Sequence, residues 1–267
     1  MTPTTPVPGS TSGDDPRPGA LVTGGARGIG AACAAVLAEL GYRVAIHYRS
    51  NAQLAKATRN RIDGEGHITI AGDLSRPDEA RGVVEQAVAQ LGTIDVLVNN
   101  VGIYESHPID STDFESWQQA WAAVVSTNLI ATANTTWSFV QHLLTRDDGP
   151  AGGRIVCIGS RGAYRGEPDA PAYGATKAGV HAFAQSLAVS LAKHEIGVFA
   201  LAPGVIATEL TADLVNGELG ESIRAQSPFG RVGAVQEVAS VLRWLVSADS
   251  IWSSGAVLDF NGASYLR

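Results

Sequence analysis

The stretch "ALVTGGARGIG", residues 20–30, joins a short apolar run to a helical pattern through a glycine-rich turn. Gly24, Gly28 and Gly30 are spaced G-x-x-x-G-x-G, with Arg27 and Ile29 between them. Glycines permit a tight turn and let a pyrophosphate approach the backbone. The helix that follows offers unpaired N–H groups and the positive end of its dipole to an anion. Ala31 and Ala32 stand where a P-loop needs Lys and Ser or Thr, so that alternative is excluded. Strand, glycine turn and helix at the start of the chain predict a dinucleotide site.

The alternation continues outward. Apolar runs at 20–24, 43–48, 67–73, 94–100, 154–160, 196–204 and 256–262 read as strands. Most are continuous rather than alternating, the signature of strands buried on both faces. Helical patterns separate them at 28–40, 51–62, 77–91, 115–144, 172–193 and 235–247. This order predicts an α/β fold, a single-domain Rossmann-like doubly wound parallel sheet with helices on both faces. Residues 20–267 form that domain. Residues 1–19, "MTPTTPVPGSTSGDDPRPG", are too poor in apolar side chains to offset the cost of ordering and read as a disordered tail.

Bulk composition narrows the function. The 267 residues are 45% hydrophobic and 17% charged, with a formal net charge of −7. No Lys/Arg cluster is dense enough to track a phosphate backbone, so nucleic acid is not an expected partner. No run of about 18 apolar residues predicts a membrane span. Cys33 and Cys157 are too few for a disulfide framework or a zinc site, and no metal is expected. A cytoplasmic setting fits.

The second strand ends "HYRSN", 47–51, where an NAD site usually carries an acidic residue for the ribose 2′-hydroxyl. No Asp or Glu occurs between Glu39 and Asp63. Tyr48, Arg49 and Ser50 occupy that corner instead, and Arg27 lies in the glycine loop. Guanidinium groups bind phosphate bidentately, so two arginines without a carboxylate favour the 2′-phosphate of NADP(H).

"YGATKAG", 173–179, places Tyr173 four residues before Lys177, one helical turn away on the same face. In a cleft, a cation beside a phenol favours the phenolate and lowers its pKa.

Taken in order, "TGGARGIG" (23–30), "GDL" (72–74), "NNVG" (99–102), "STN" (126–128), "GS" (159–160), "YGATK" (173–177) and "PG" (203–204) resemble the short-chain dehydrogenase/reductase family over nearly all of 20–267. Ser160 lies 13 residues before Tyr173, as in that family's pattern. The resemblance implies Tyr173 as catalytic acid/base and Lys177 as the residue that bonds the nicotinamide ribose and lowers the Tyr173 pKa. Ser160 would hold the substrate carbonyl, and Asn128 would position a water in a proton relay. Asp73 and Leu74 would contact adenine, and Asn99 the adenosine ribose. Gly102 completes the turn after the fourth strand, and Pro203, Gly204, Val205 and Thr208 the loop over the nicotinamide. A homotetramer is also implied, with Trp117, Trp121 and Trp137 as core or interface anchors. The sequence departs from the family at Val101, commonly Ala, and at Val189, where carrier-protein reductases often have Arg. The expected activity is NADPH-dependent hydride transfer between the nicotinamide and a ketone or secondary alcohol, on a small-molecule substrate. Reduction of 3-oxoacyl thioesters is an alternative, and a non-catalytic NADP-sensing regulator another. Tyr104, Arg161, Tyr164 and Leu210 are the candidate substrate liners.

Overall fold

The structure, a computed structural model, describes residues 17–267. The expected tail falls mostly outside them, but its last residues are anchored. Gly19 opens the first strand, and the Pro18 carbonyl accepts from the Arg43 amide at 2.9 Å.

Seven strands form one sheet: β1 (Gly19–Val22), β2 (Arg43–Tyr48), β3 (Ile68–Ala71), β4 (Val96–Asn99), β5 (Arg154–Ile158), β6 (Gly197–Pro203) and β7 (Val257–Phe260). Their spatial order is β3-β2-β1-β4-β5-β6-β7, and every pairing is parallel. Every residue of β1, β4, β5 and β6 is buried, which explains their unbroken apolar composition.

The crossovers carry helices to both faces. On one face α3 (Pro77–Leu91), α5 (Ala131–Leu144) and α7 (Pro171–Leu191) bury Val83, Phe139 and Val180. On the other, α1 (Gly28–Glu39) packs with α10 (Val235–Ser240) and α11 (Leu242–Leu245), burying Leu37, Val238 and Leu245. A short α2 (Ala52–Arg59) links β2 to β3. Strand order reverses between β1 and β4, and a cleft opens there at the carboxyl ends of the strands.

The long pattern expected over 115–144 is one axis with an interruption. Between α4 (Phe114–Val125) and α5, residues 126–130 form a π turn, in which the Ala131 amide reaches the Ser126 carbonyl. Such turns insert one residue and recur at functional sites. This one carries "STN" and turns Asn128 fully inward. The three tryptophans do not enter the core: Trp137 is 60% exposed, and Trp117 and Trp121 are half-buried.

Five short helices complete the chain's second half: α6 (Gly162–Arg165) after β5, α8 (Ala212–Asn216) and α9 (Gly220–Ala225) in the segment after β6, and the α10–α11 pair.

Candidate active site

The glycine turn is built by its neighbours. Gly24 and Gly28 have φ of 61° and 55°, in the left-handed region that glycine enters without strain. Asn100 donates through its amide to the Thr23 and Gly24 carbonyls, 3.1 Å each, while its own N–H donates to Thr23 Oγ1 at 2.9 Å. His47, buried at the end of β2, accepts from the Gly24 N–H at 3.1 Å through Nδ1, which leaves Nε2–H to donate to the Gly72 carbonyl at 3.0 Å. Burial holds its pKa below the usual imidazole value. A Cβ at Gly30 would run into the Gly24 carbonyl and the Asn100 amide. The backbone is therefore bare where α1 begins, and its N–H groups face a cavity of about 320 Å³. A phosphate-bearing cofactor fits this cradle.

Gly24, Arg27, Gly28 and Ile29 line the cavity from the turn; Arg49, Asp73 and Leu74 line it from the second and third strands. Hydrogen bonds from Ser75 hold the Asp73 carboxyl below its usual range, with Arg49 and Arg76 adding to the effect. Arg27 meets Glu209 across the mouth at 3.0 Å, both more than half exposed. Gly102, Pro203, Gly204, Thr208 and Leu210 complete the lining.

Five expected contacts do not line the cavity, and Gly30, packed against the Gly24 carbonyl and the Asn100 amide, is one of them. Asn99 is buried, and its amide donates to Thr136 Oγ1 at 2.8 Å, so Asn100 faces the cleft in its place. Tyr48 packs on the core beside α1, and Ser50 is exposed outside the cavity. His47 and Arg49 are the residues from that corner which reach the cleft. Val205 lines a second cavity behind the Pro203–Gly204 turn.

Ser160, Tyr173 and Lys177 converge at the cleft's inner end. Tyr173 and Lys177 lie in the first two turns of α7, which begins with Pro171, a residue suited to that position because it has no N–H to satisfy. Ser160 follows β5, accepts the Gly162 N–H at 3.0 Å and lies close enough to the Tyr173 hydroxyl to lower its pKa. Lys177 Nζ donates to the Ile158 carbonyl at 2.8 Å and lies 5.7 Å from the Tyr173 ring centroid.

Burial sets the direction of both pKa values. Burial pushes the Tyr173 phenol up to about 12, against the nearby Ser160 hydroxyl, which lowers it; Glu167 and Tyr104 raise it further. Burial also holds the Lys177 ammonium down to about 8. Both charged forms lose hydration in the same pocket.

Asn128 braces the site. Its Oδ1 accepts from the Ile103 N–H at 2.8 Å, and its Nδ2 donates to the Ile103 carbonyl at 3.0 Å and to Thr176 Oγ1 at 3.3 Å. A Cβ at Gly102 would meet Lys177 Nζ at 3.3 Å and Asn128 Oδ1 at 3.5 Å, so glycine fits that gap. Among the described residues no group of three or more His, Cys, Asp or Glu could hold a metal ion.

The substrate-side residues divide. The Tyr104 ring packs edge-on against Tyr173, centroids 5.1 Å apart. Leu210 lines the cleft and is 59% exposed. Arg161 is buried and turns toward the second cavity. Tyr164 leaves the site: its hydroxyl accepts from Arg267 at 2.9 Å, and its ring lies against His181 and Tyr265. Asn100, His47 and Thr127 are cleft residues that the sequence reading did not name.

Known proteins share this chain's sequence pattern and fold. The family model described as short chain dehydrogenase matches residues 19–219. A 3-oxoacyl-[acyl-carrier-protein] reductase FabG of Staphylococcus aureus is 34% identical over 249 residues, covering 92% of this chain and 98% of its own. An acetoacetyl-CoA reductase of Rhizobium meliloti is 36% identical over 250 residues, with the same coverage. A short chain dehydrogenase from Burkholderia cenocepacia, solved in complex with NADP, superposes with a TM-score of 0.81 at 32% identity, covering 92% of this chain and 96% of that one. The chain belongs to the short-chain dehydrogenase/reductase family.

Proposed function

We propose that the protein is an NADP(H)-dependent oxidoreductase that reduces a ketone to a secondary alcohol, reversibly, with Tyr173 as proton donor. The observation that carries this reading is the convergence of Ser160, Tyr173 and Lys177 on one glycine-cradled cleft, with Lys177 one turn along the same helix from Tyr173. When bound, the nicotinamide supplies a hydride to the carbonyl carbon. Negative charge then develops on the carbonyl oxygen. The Tyr173 phenol, with its pKa near 12, is protonated at neutral pH and gives its proton to that oxygen. The Ser160 hydroxyl donates to the same atom and stabilises the charge as it forms. The phenolate left on Tyr173 is offset by the Lys177 ammonium. Arg27 and Arg49 take the 2′-phosphate, the choice favoured by a β2 corner without a carboxylate.

A second reading, reduction of 3-oxoacyl thioesters, draws support from the names of the two curated relatives. Val189 weighs against presentation by a carrier protein. It is 82% exposed on α7, an uncharged surface position where a cation would pair with an acidic partner. A cofactor-sensing regulator has no need of the Ser160, Tyr173 and Lys177 set. We place the protein in the cytoplasm as a homotetramer, a state that light scattering would test. Among the described residues no helix is long and apolar enough to cross a membrane.

NADPH consumption against a panel of ketones and acetoacetyl thioesters, with NADH in parallel, tests the reading. Turnover of free ketones with NADPH preferred supports it. Turnover of thioesters alone transfers the assignment to the second reading, and NADH preference overturns the cofactor assignment.

A further inference from the structure

The second cavity, about 300 Å³, shares Gly204 and Ile206 with the cofactor cleft and so adjoins it beneath the segment that carries α8 and α9. Arg161 forms part of its wall. This residue follows Ser160 directly, its N–H donates to the Pro203 carbonyl at 2.9 Å, and it is only 5% exposed. Its guanidinium donates to Gln226 Oε1. Arg165, one turn further along α6, donates to the same oxygen at 3.0 Å. Two cations thus converge on one neutral acceptor.

Among the described residues neither arginine has an ion-pair partner. Glu237 and Asp259 also line the cavity, but Glu237 is paired with Arg231 at 2.7 Å and Asp259 with Arg267 at 2.9 Å. Glu167 acts on both arginines at longer range and forms no ion pair with either. A buried guanidinium without an ion-pair partner is costly, and a carboxylate or phosphate oxygen pair is the partner its planar fork matches.

We propose that Arg161 and Arg165 form the recognition site for an oxyanion carried by the substrate, with Gln226 Oε1 holding its place, so that the preferred substrates are oxo acids. This inference rests on Tyr173 marking the reacting carbonyl. Because Arg161 is the neighbour of Ser160, the anionic group lies a short chain away from that carbonyl. Gln226 follows α9, so exchanging it for the substrate's anion couples the α8–α9 segment to substrate charge.

The test compares kcat/KM for acetoacetate, levulinate and longer straight-chain oxo acids with their methyl esters, using NADPH. The wild-type protein is expected to prefer the acid at one chain length by at least about tenfold, the scale of a hydrogen bond to a charged group. Arg165→Ala and Gln226→Glu should each erase that preference. Gln226→Glu does so by placing the protein's own carboxylate between the guanidinium groups, without loss of volume. Arg161→Lys should retain part of it. Equal use of acid and ester, or a preference intact in Gln226→Glu, overturns the inference while leaving the reductase reading standing. If neither acid nor ester is turned over, calorimetry with glutarate decides. Binding that Gln226→Glu abolishes supports the anion site and sinks the reductase reading; no binding to the wild type overturns the anion site.

Discussion

Lys177 donates from its buried ammonium to the Ile158 carbonyl at 2.8 Å, tying α7 to the last residue of β5. Its pKa, held by burial at about 8, has a functional consequence. Below about pH 8 the side chain is charged and offsets the phenolate that Tyr173 leaves behind. As pH rises through that value the charge is lost, so kcat for reduction should fall. Lys177→Arg should remove this alkaline limb, because guanidinium stays charged. A kcat–pH profile of both proteins checks it; a wild-type profile flat from pH 7 to pH 9 would count against the role.

Tyr173→Phe removes the donated proton and keeps the ring that packs on Tyr104. Turnover should drop by roughly 10²–10⁴-fold, the usual weight of a general acid. Affinity for NADPH, measured by fluorescence titration, should change little.

Gly30→Ala should damage the cradle. The new methyl meets backbone at Gly24, which cannot swing aside as a side chain would. A loss of about 1–3 kcal/mol in stability is expected, with weaker NADPH binding. Thermal unfolding and calorimetry separate the two effects.

The proposed 2′-phosphate contact puts the cofactor choice on Arg49. Arg49→Glu should turn the β2 corner from phosphate-binding to hydroxyl-binding and repel a 2′-phosphate. The ratio of kcat/KM for NADPH over NADH should fall by about 10–100-fold, the scale of one charge-assisted contact. Steady-state kinetics with both cofactors gives that ratio directly.

His181 predicts an acid sensitivity. Both ring nitrogens are buried without a hydrogen-bond partner, and burial holds the pKa down to about 4 from the ordinary 6.5. Above pH 6.5 the ring is neutral folded or unfolded, and pH has no effect through it. Between 6.5 and 4 the unfolded chain takes a proton that the folded one refuses, so stability falls as pH falls. The loss is on the order of 1–3 kcal/mol. His181→Leu should lose less Tm than the wild type between pH 7 and pH 4.5.

Much of this molecule is legible from residue order. The continuous apolar run of β2 ends where expected, and α3 covers 77–91 as its periodicity predicts. The misses have local causes. A helical repeat conceals one inserted residue, so the π turn at 126–130 left no trace in the apolar spacing. Neighbouring strand residues point to opposite faces, so a slip of one position puts Asn99 in the core and Asn100 in the cleft. In the short α6, Arg161 and Tyr164 diverge to a cavity and to the chain's carboxyl end, which a list of nearby residues cannot distinguish. The Tyr173 pKa depends on burial, a property of the finished fold and not of the Tyr–Lys spacing.

The Asn100 amide that pins Gly24 comes from 76 residues further along the chain. The cradle at the amino terminus is therefore a late structure during synthesis. A ribosome that has released only the first βαβ unit has made the glycines but not the residue that sets their turn. Loops that long are slow to close. A truncated chain ending before residue 100 should lack cofactor affinity although every glycine is present, and nascent chains should begin to bind cofactor only after the fourth strand has emerged and paired with the first.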